Sequence, residues 1–148
     1  MANELFTSMH IGAAGMSAQR SRMDIVAENI ANAESTRTKD GTPYRRRQVV
    51  FQAMPTEQRF SDIFGRSLAR GNRQTVEVVD VVQDKSPFRE VFDPAHPDAN
   101  DQGIVKMPNV NMVEEMVDMN SAARSFEANV TSMEASKRMF IKTLELLR

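Results

Sequence analysis

Two seven-residue repeats, one at each end of the chain, limit what it can fold into more than any other feature. Leu5, Met9, Gly12, Met16, Gln19, Met23, Val26 and Ile30 are spaced alternately four and three residues apart. Met112, Met116, Met119, Ala123, Phe126, Val130, Met133, Lys137, Phe140, Leu144 and Leu147 keep the same rhythm to the far end. A stripe at that spacing runs along one side of a helix and suits a partner helix wound around it. The spacing predicts helices over residues 3–32 and 110–148, roughly 45 and 60 Å long at about 1.5 Å per residue. Asn3 is placed to cap the first, and Asn111 with Glu114 forms an asparagine version of the capping box for the second. Glu114, Glu115 and Asp118 crowd the start of the second helix while Arg138, Lys142 and Arg148 lie near its end, the order that opposes its dipole. The Glu114 and Glu115 pair reads as an exposed first turn, not an acid/base dyad. Gly12 and Gly15 weaken the first helix by about 1 kcal/mol each relative to alanine.

The middle has a different texture. Residues 44–52 (YRRRQVVFQ) and 75–83 (TVEVVDVVQ) read as strands, with a shorter one at 88–92. Val49 and Phe51 alternate with Gln48 and Gln52. Gly41, Pro43, Pro55, Gly65, Gly71, Pro87, Pro94 and Pro97 punctuate the segment, and a short helix is expected near residues 60–68. The predicted fold is α+β and mainly α: terminal heptad helices forming a coiled coil, with a small antiparallel β insert between them. Its parts are an N-terminal helix at 1–33, an insert at 34–109 and a C-terminal helix at 110–148. So few large apolar side chains in the insert cannot cover two long helices. Part of both stripes is therefore expected to meet other chains.

Composition removes most other functions. The 19 Lys and Arg against 20 Asp and Glu give no global pull toward nucleic acid. The run Arg45-Arg46-Arg47 reads as a solvated face or a local subunit contact. Cysteine is absent, which excludes disulfides, thiolate metal sites and cysteine nucleophiles. No apolar run reaches the roughly 18 residues of a membrane span, and the first residues do not pattern as a Sec signal. In the loop 93–103 (DPAHPDANDQG) a calcium-loop register from Asp98 fails at its last position, Asn109, where a glutamate is needed. The prolines explain the loop as a bend. No catalytic motif accompanies His10 or His96, and Asn129-Val130-Thr131 is a chance sequon within a helix. Neither enzyme activity nor a cofactor, metal or small-molecule substrate is expected. The 11 methionines suit surfaces that must fit differently shaped neighbours.

Residues 27–36 (AENIANAEST) end the first helix with two asparagines among alanines, although asparagine competes for backbone groups inside helices. This segment, with Asn29, Ala31, Asn32 and Thr36 in an N-x-A-N-x-x-x-T pattern, resembles the N-terminal signature of the rod and hook axial proteins of the bacterial flagellum. PYRRRQVVFQ (43–52) and DPAHPDANDQGIVKMPNVNMVEEMVDMNSAARSFEANV (93–130) are similar to the same family, and the short insert favours its proximal-rod branch. The resemblance implies a structural subunit of the periplasmic basal-body rod, exported without a cleaved Sec signal through the flagellar type III apparatus and assembled helically. Its implied partners are copies of itself, other rod proteins and the ring or export-gate adaptor components, with no insertion into the membrane. The alternatives are another axial member of the family and a coiled-coil adaptor of the secretion system. The expected assembly interface comprises the apolar stripe residues named above together with Asn29, Ala31 and Asn32, the asparagines giving register between neighbouring subunits across a surface that small alanines bring close.

Overall fold

A computed structural model describes residues 2–55 and 74–146. The expected short helix at 60–68 lies outside them, as does Leu147. Helix α1 spans Ala2–Ala31 and helix α2 spans Met112–Leu146. Between them run β1 (Arg47–Pro55), β2 (Gln74–Gln83), β3 (Arg89–Phe92) and β4 (Ile104–Met107).

Helix α1 is already formed at Ala2, so Asn3 lies inside it and does not cap it. At its end the Glu28 carbonyl accepts both the backbone N–H of Asn32, at 3.1 Å, and the Asn32 Nδ2, at 2.9 Å. Helix α2 starts as expected on Asn111, whose Oδ1 accepts the Val113 amide at 3.2 Å.

Among the described residues the insert holds two separate antiparallel ribbons, not one sheet. β1 pairs with β2 from Arg47↔Gln83 to Pro55↔Gln74, with an irregularity between Val50 and Phe51. β3 pairs with β4, Arg89↔Met107 through Phe92↔Ile104. The pattern did not announce β4, because its four residues carry too little alternation to separate from a loop. The loop 93–103 turns back on Gly103, whose φ of +73° and crowding against Phe92 and Pro94 exclude a side chain.

The two helices lie antiparallel, and α1 also packs on β1 and β2. Val49 and Phe51 share a cleft with Ile25 and Val26 of α1, as their alternation with exposed Gln48 and Gln52 requires. The fully buried apolar set among the described residues is small: Ala18, Val26, Ala33, Val105, Val110 and Ala122. Polar residues share the interior, namely Asn29, Glu115 and Ser136.

The seam between the helices is not the stripe read from the sequence. On α2 the inward positions are Glu115, Met119, Ala122, Phe126, Asn129, Met133, Ser136 and Phe140, all buried or half-buried. This set keeps Met119, Phe126, Met133 and Phe140 of the expected stripe. It replaces Met116, Ala123, Val130 and Lys137 by the residue just before each. Contacts across the seam run Phe6 with Phe140 (rings 5.8 Å apart, edge to face), Ser8 with Ser136 and Arg22 with Asp118. The backbones approach closely where Gly12 and Gly15 face Met133 and Asn129. The glycines that weaken α1 are thus where the other helix comes near.

Candidate functional site

The head of the helix pair, where α1 ends and α2 begins, holds a polar joint. Asn29 is 1% exposed. Its Nδ2 donates to the Arg47 carbonyl at 2.8 Å and to Glu115 Oε2 at 2.9 Å. Its Oδ1 accepts from the Tyr44 hydroxyl and from the Arg47 amide, both at 2.9 Å. An asparagine amide has two donors and two acceptor sites, and here all four are used. One side chain thereby ties α1, the start of β1, the preceding loop and α2.

Glu115 is fully buried, not exposed in a first helical turn as the sequence suggests. Its charge is balanced by Arg46, whose Nε donates to Oε1. A buried carboxylate without such a partner is strongly unfavourable. Burial first, then the neighbouring Glu28 and Glu115 carboxylates, push the Tyr44 phenol up to about 12, with Arg47 pulling the other way.

The arginine run is half-buried and bonded within the chain, not an open solvated face. Arg45 donates to the Asp84 and Ser86 carbonyls and lies over the Phe88 ring at 4.3 Å. Arg46 takes Glu115, and Arg47 holds both oxygens of Glu28 at 2.8 and 3.0 Å. The Ser86 hydroxyl and backbone N–H, with Arg46 and Arg45 nearby, hold the Asp84 carboxyl below its usual range. Asn109 joins the group by accepting the Arg46 amide at 2.9 Å. Three successive basic residues therefore each serve a different element of the same chain.

The expected interface residues divide into three sets by burial. Val26 and Asn29 are buried in the chain's own interior. Met9, Met16, Met23, Ile30, Asn32, Met119, Ala123, Phe126, Val130, Met133 and Phe140 are half-buried. Asn32 spends its amide locally, its Oδ1 accepting from the Ser35 hydroxyl. Asn29 is saturated at home, while Asn32 spends one donor and one acceptor there, so both act inside the subunit. Ala31, Met112, Met116 and Leu144 are exposed, and the Leu5 side chain lies outside the described residues.

Large apolar side chains accompany this exposed set. At the head, Met112, Val113, Met116 and Val117 stand 39%, 69%, 54% and 65% exposed. At the tail, Phe6, Met139, Ile141 and Leu144 are likewise open. Sequence reasoning missed Val113 and Val117, which fall off the seven-residue stripe. It also missed Tyr44, Arg46 and Glu115, whose meeting depends on chain far apart in sequence. One signal was present: Glu115, Ala122, Asn129 and Ser136 repeat every seven residues, as do Ser8, Gly15, Arg22 and Asn29.

Among the described residues no group of His, Asp and Glu is arranged to hold a metal, and no helix is long and apolar enough to cross a membrane. The loop 93–103 is occupied with its own turns: the His96 ring accepts the Asp98 amide, and Asp98 accepts the Thr36 hydroxyl at 2.8 Å.

Two family models match the regions that build the helix pair. Residues 101–146 match the C-terminal region described as flagellar basal body rod FlgEFG protein, and residues 9–37 match flagella basal body rod protein. The paired end helices and their joint are thus those of a flagellar rod protein. The chain is 43% identical over 149 residues to the flagellar basal-body rod protein FlgC of Borreliella burgdorferi, covering 97% of this chain and 98% of that one. It is 43% identical over 147 residues to FlgC of Bacillus subtilis and 39% over 142 to FlgC of Escherichia coli O6:H1, again nearly end to end. The chain belongs to the FlgC family of flagellar basal-body rod proteins, a structural family and not one of enzymes.

Proposed function

We propose that the chain is a proximal-rod subunit that assembles helically with copies of itself and with other rod proteins, through the outward flank of its paired end helices. The observation that carries this reading is the placement of bulk. Small and polar residues fill much of the seam, while Met112, Val113, Met116 and Val117 stand open on the outside of α2. A contiguous apolar flank on a structural subunit suits burial against neighbours. In the assembled rod the helix pair winds as a coiled coil, as the seven-residue contacts favour, and the flexible thioethers adapt to inequivalent contacts. The division into N-terminal helix (1–33), insert (34–109) and C-terminal helix (110–148) then separates the assembling ends from a projecting middle.

Export through the flagellar type III apparatus to the periplasmic rod, with ring or export-gate adaptor components as further partners, follows from the axial family's character. The small apolar core supports it, since little buried surface must be given up to thread the chain. Replacing Met116 and Val117 together by serine tests the interface. These exposed sites should change the stability of the isolated chain by less than about 0.5 kcal/mol. A strain carrying only this variant should export it, build no complete rod and fail to swim. Swimming at the unaltered rate rejects the flank as an interface.

A further inference from the structure

The polar side of the seam repeats with the same seven-residue period as its apolar side. On α1 the positions are 8, 15, 22 and 29, and on α2 they are 136, 129, 122 and 115. Ser8 meets Ser136 at 3.3 Å, and Asn29 meets Glu115 at 2.9 Å. Gly15 leaves the room that the Asn129 amide occupies, since a Cβ there would stand 2.9 Å from Nδ2. Arg22 is level with fully buried Ala122, which has nothing to offer it. Its guanidinium reaches one turn further and binds Asp118 at 3.1 Å.

The apolar contacts cannot choose a register by themselves. Met119, Phe126, Met133 and Phe140 are each seven residues apart, so a slip of one repeat only exchanges one large side chain for the next. A slip of one repeat breaks all four present rungs. It offers Arg22 to Glu115 and Ser8 to Asn129 in one direction, and Arg22 to Asn129 and Ser8 to Thr143 in the other, but no side-chain partner to buried Asn29. Asn29 would come level with Ala122 or with Pro108, neither of which can take its amide. Glu115 would lose the amide that now donates to it. Pairing α2 with another α2 sets Glu115 level with Ser136 and Asn129 with Ala122, again without the amide-to-carboxylate bond. Polar positions fix register in helical pairs elsewhere, and here four rungs share that role, each adding to the preference for one register.

We propose that Ser8, Gly15, Arg22 and Asn29, with Ser136, Asn129, Asp118 and Glu115, are the specificity determinants of helix pairing. They admit α1 with α2, antiparallel, in one register, and reject slipped and like-with-like pairs. This rests on the reading that the end helices meet sister chains, because only there does every neighbour present competing stripes of the same period. The rungs are weaker contacts than leucine would make, and the loss in adhesion is exchanged for a single arrangement.

The cysteine-free chain permits a direct test. A Cβ on Gly12 would lie 3.9 Å from that of Met133, within the range a disulfide bridges. The pair Gly12→Cys with Met133→Cys therefore reports the native register, and Gly12→Cys with Phe126→Cys reports a slip of one repeat. In the otherwise unaltered chain the first pair should close on oxidation and the second should stay open. Replacing Ser8, Asn129 and Ser136 by leucine should raise closure of the slipped pair, or linkage of α2 to α2 between chains, at least tenfold. Helix content is followed by circular dichroism on the same samples. If the triple variant does not fold, Asn129→Leu alone is read in the same way, with a rise of at least threefold expected. A slipped pair that stays open, with no linkage between chains, in whichever variant folds overturns the proposal. The Met116 and Val117 variant tests the flank through other residues, so either idea can fail without the other.

Discussion

At the scale of single residues, the asparagine that a sequence reader would place on a subunit surface is an internal fastener. Asn29→Ala removes four hydrogen bonds and leaves Glu115, the Arg47 backbone and Tyr44 short of partners in the interior. Deleted partners of buried polar groups lose about 1–3 kcal/mol each, with partial relaxation. A total loss of about 3 kcal/mol is expected in urea unfolding. Asn29→Asp should be worse despite its shape, because it sets a second carboxylate against Glu115 and an acceptor against the Arg47 carbonyl. Equal stability of the two variants would show that amide donors do not matter here.

Tyr44 gives the joint a signature in pH. In the unfolded chain its phenol titrates near 10, whereas in the fold it holds its proton to about 12. A raised folded value means that the neutral phenol's contribution is complete below pH 10. That contribution is lost as pH climbs from there through about 12. Tyr44→Phe should flatten this part of the stability curve and lower stability at neutral pH by about 1 kcal/mol, the worth of its bond to Asn29. An unchanged alkaline limb in the variant would assign the loss to other groups.

At the scale of the elements, the helices were legible and their inward side was not. A cap at Asn111, a seven-residue rhythm and few interior breakers give two long helices directly from sequence. The choice of side depends on partners. Two overlapping stripes on α2 share Met119, Phe126, Met133 and Phe140 and differ only in the companion position. Hydrophobicity favours Met116 and Val130. The structure selects Glu115 and Asn129, because Arg46 and Asn29 satisfy the one and Gly15 makes space for the other. The glycines also separate in role. A Cβ at Gly12 meets Met133 at ordinary contact distance, 3.9 Å, while one at Gly15 displaces the Asn129 amide. Gly12→Ala should therefore stabilise the chain by up to about 1 kcal/mol through helix propensity. Gly15→Ala should gain less or nothing. Thermal unfolding of the two variants side by side checks the order.

At the scale of the whole molecule, the two ends depend on one another. Helix α1 contributes Ala18, Val26 and Asn29 to the interior, and the described apolar core is too small to hold it in place without α2. Deleting residues 112–148 should reduce circular-dichroism helicity by more than the missing residues account for, as α1 unravels too. In cells the truncated chain should still be secreted and should build no rod. Retained α1 helicity in the truncated chain would mean that β1 and β2 suffice to hold it. The exposed flank belongs to this scale as well. Met112, Val113, Met116 and Val117 stand open there along one side of the start of α2.

The sequence by itself determined the two helices, the capped start of the second, the strand-rich middle, the lack of thiol chemistry and, through residues 27–36 and 93–130, the axial family. Those properties are local, written in spacing, caps and residue types. The tertiary structure decided that Asn29 faces home, that Glu115 is buried, that the three arginines are engaged and that Val113 and Val117 stand outside. Each of these outcomes depends on groups distant in sequence arriving at one point. A polar side chain moves from surface to interior only where such partners replace the water it loses.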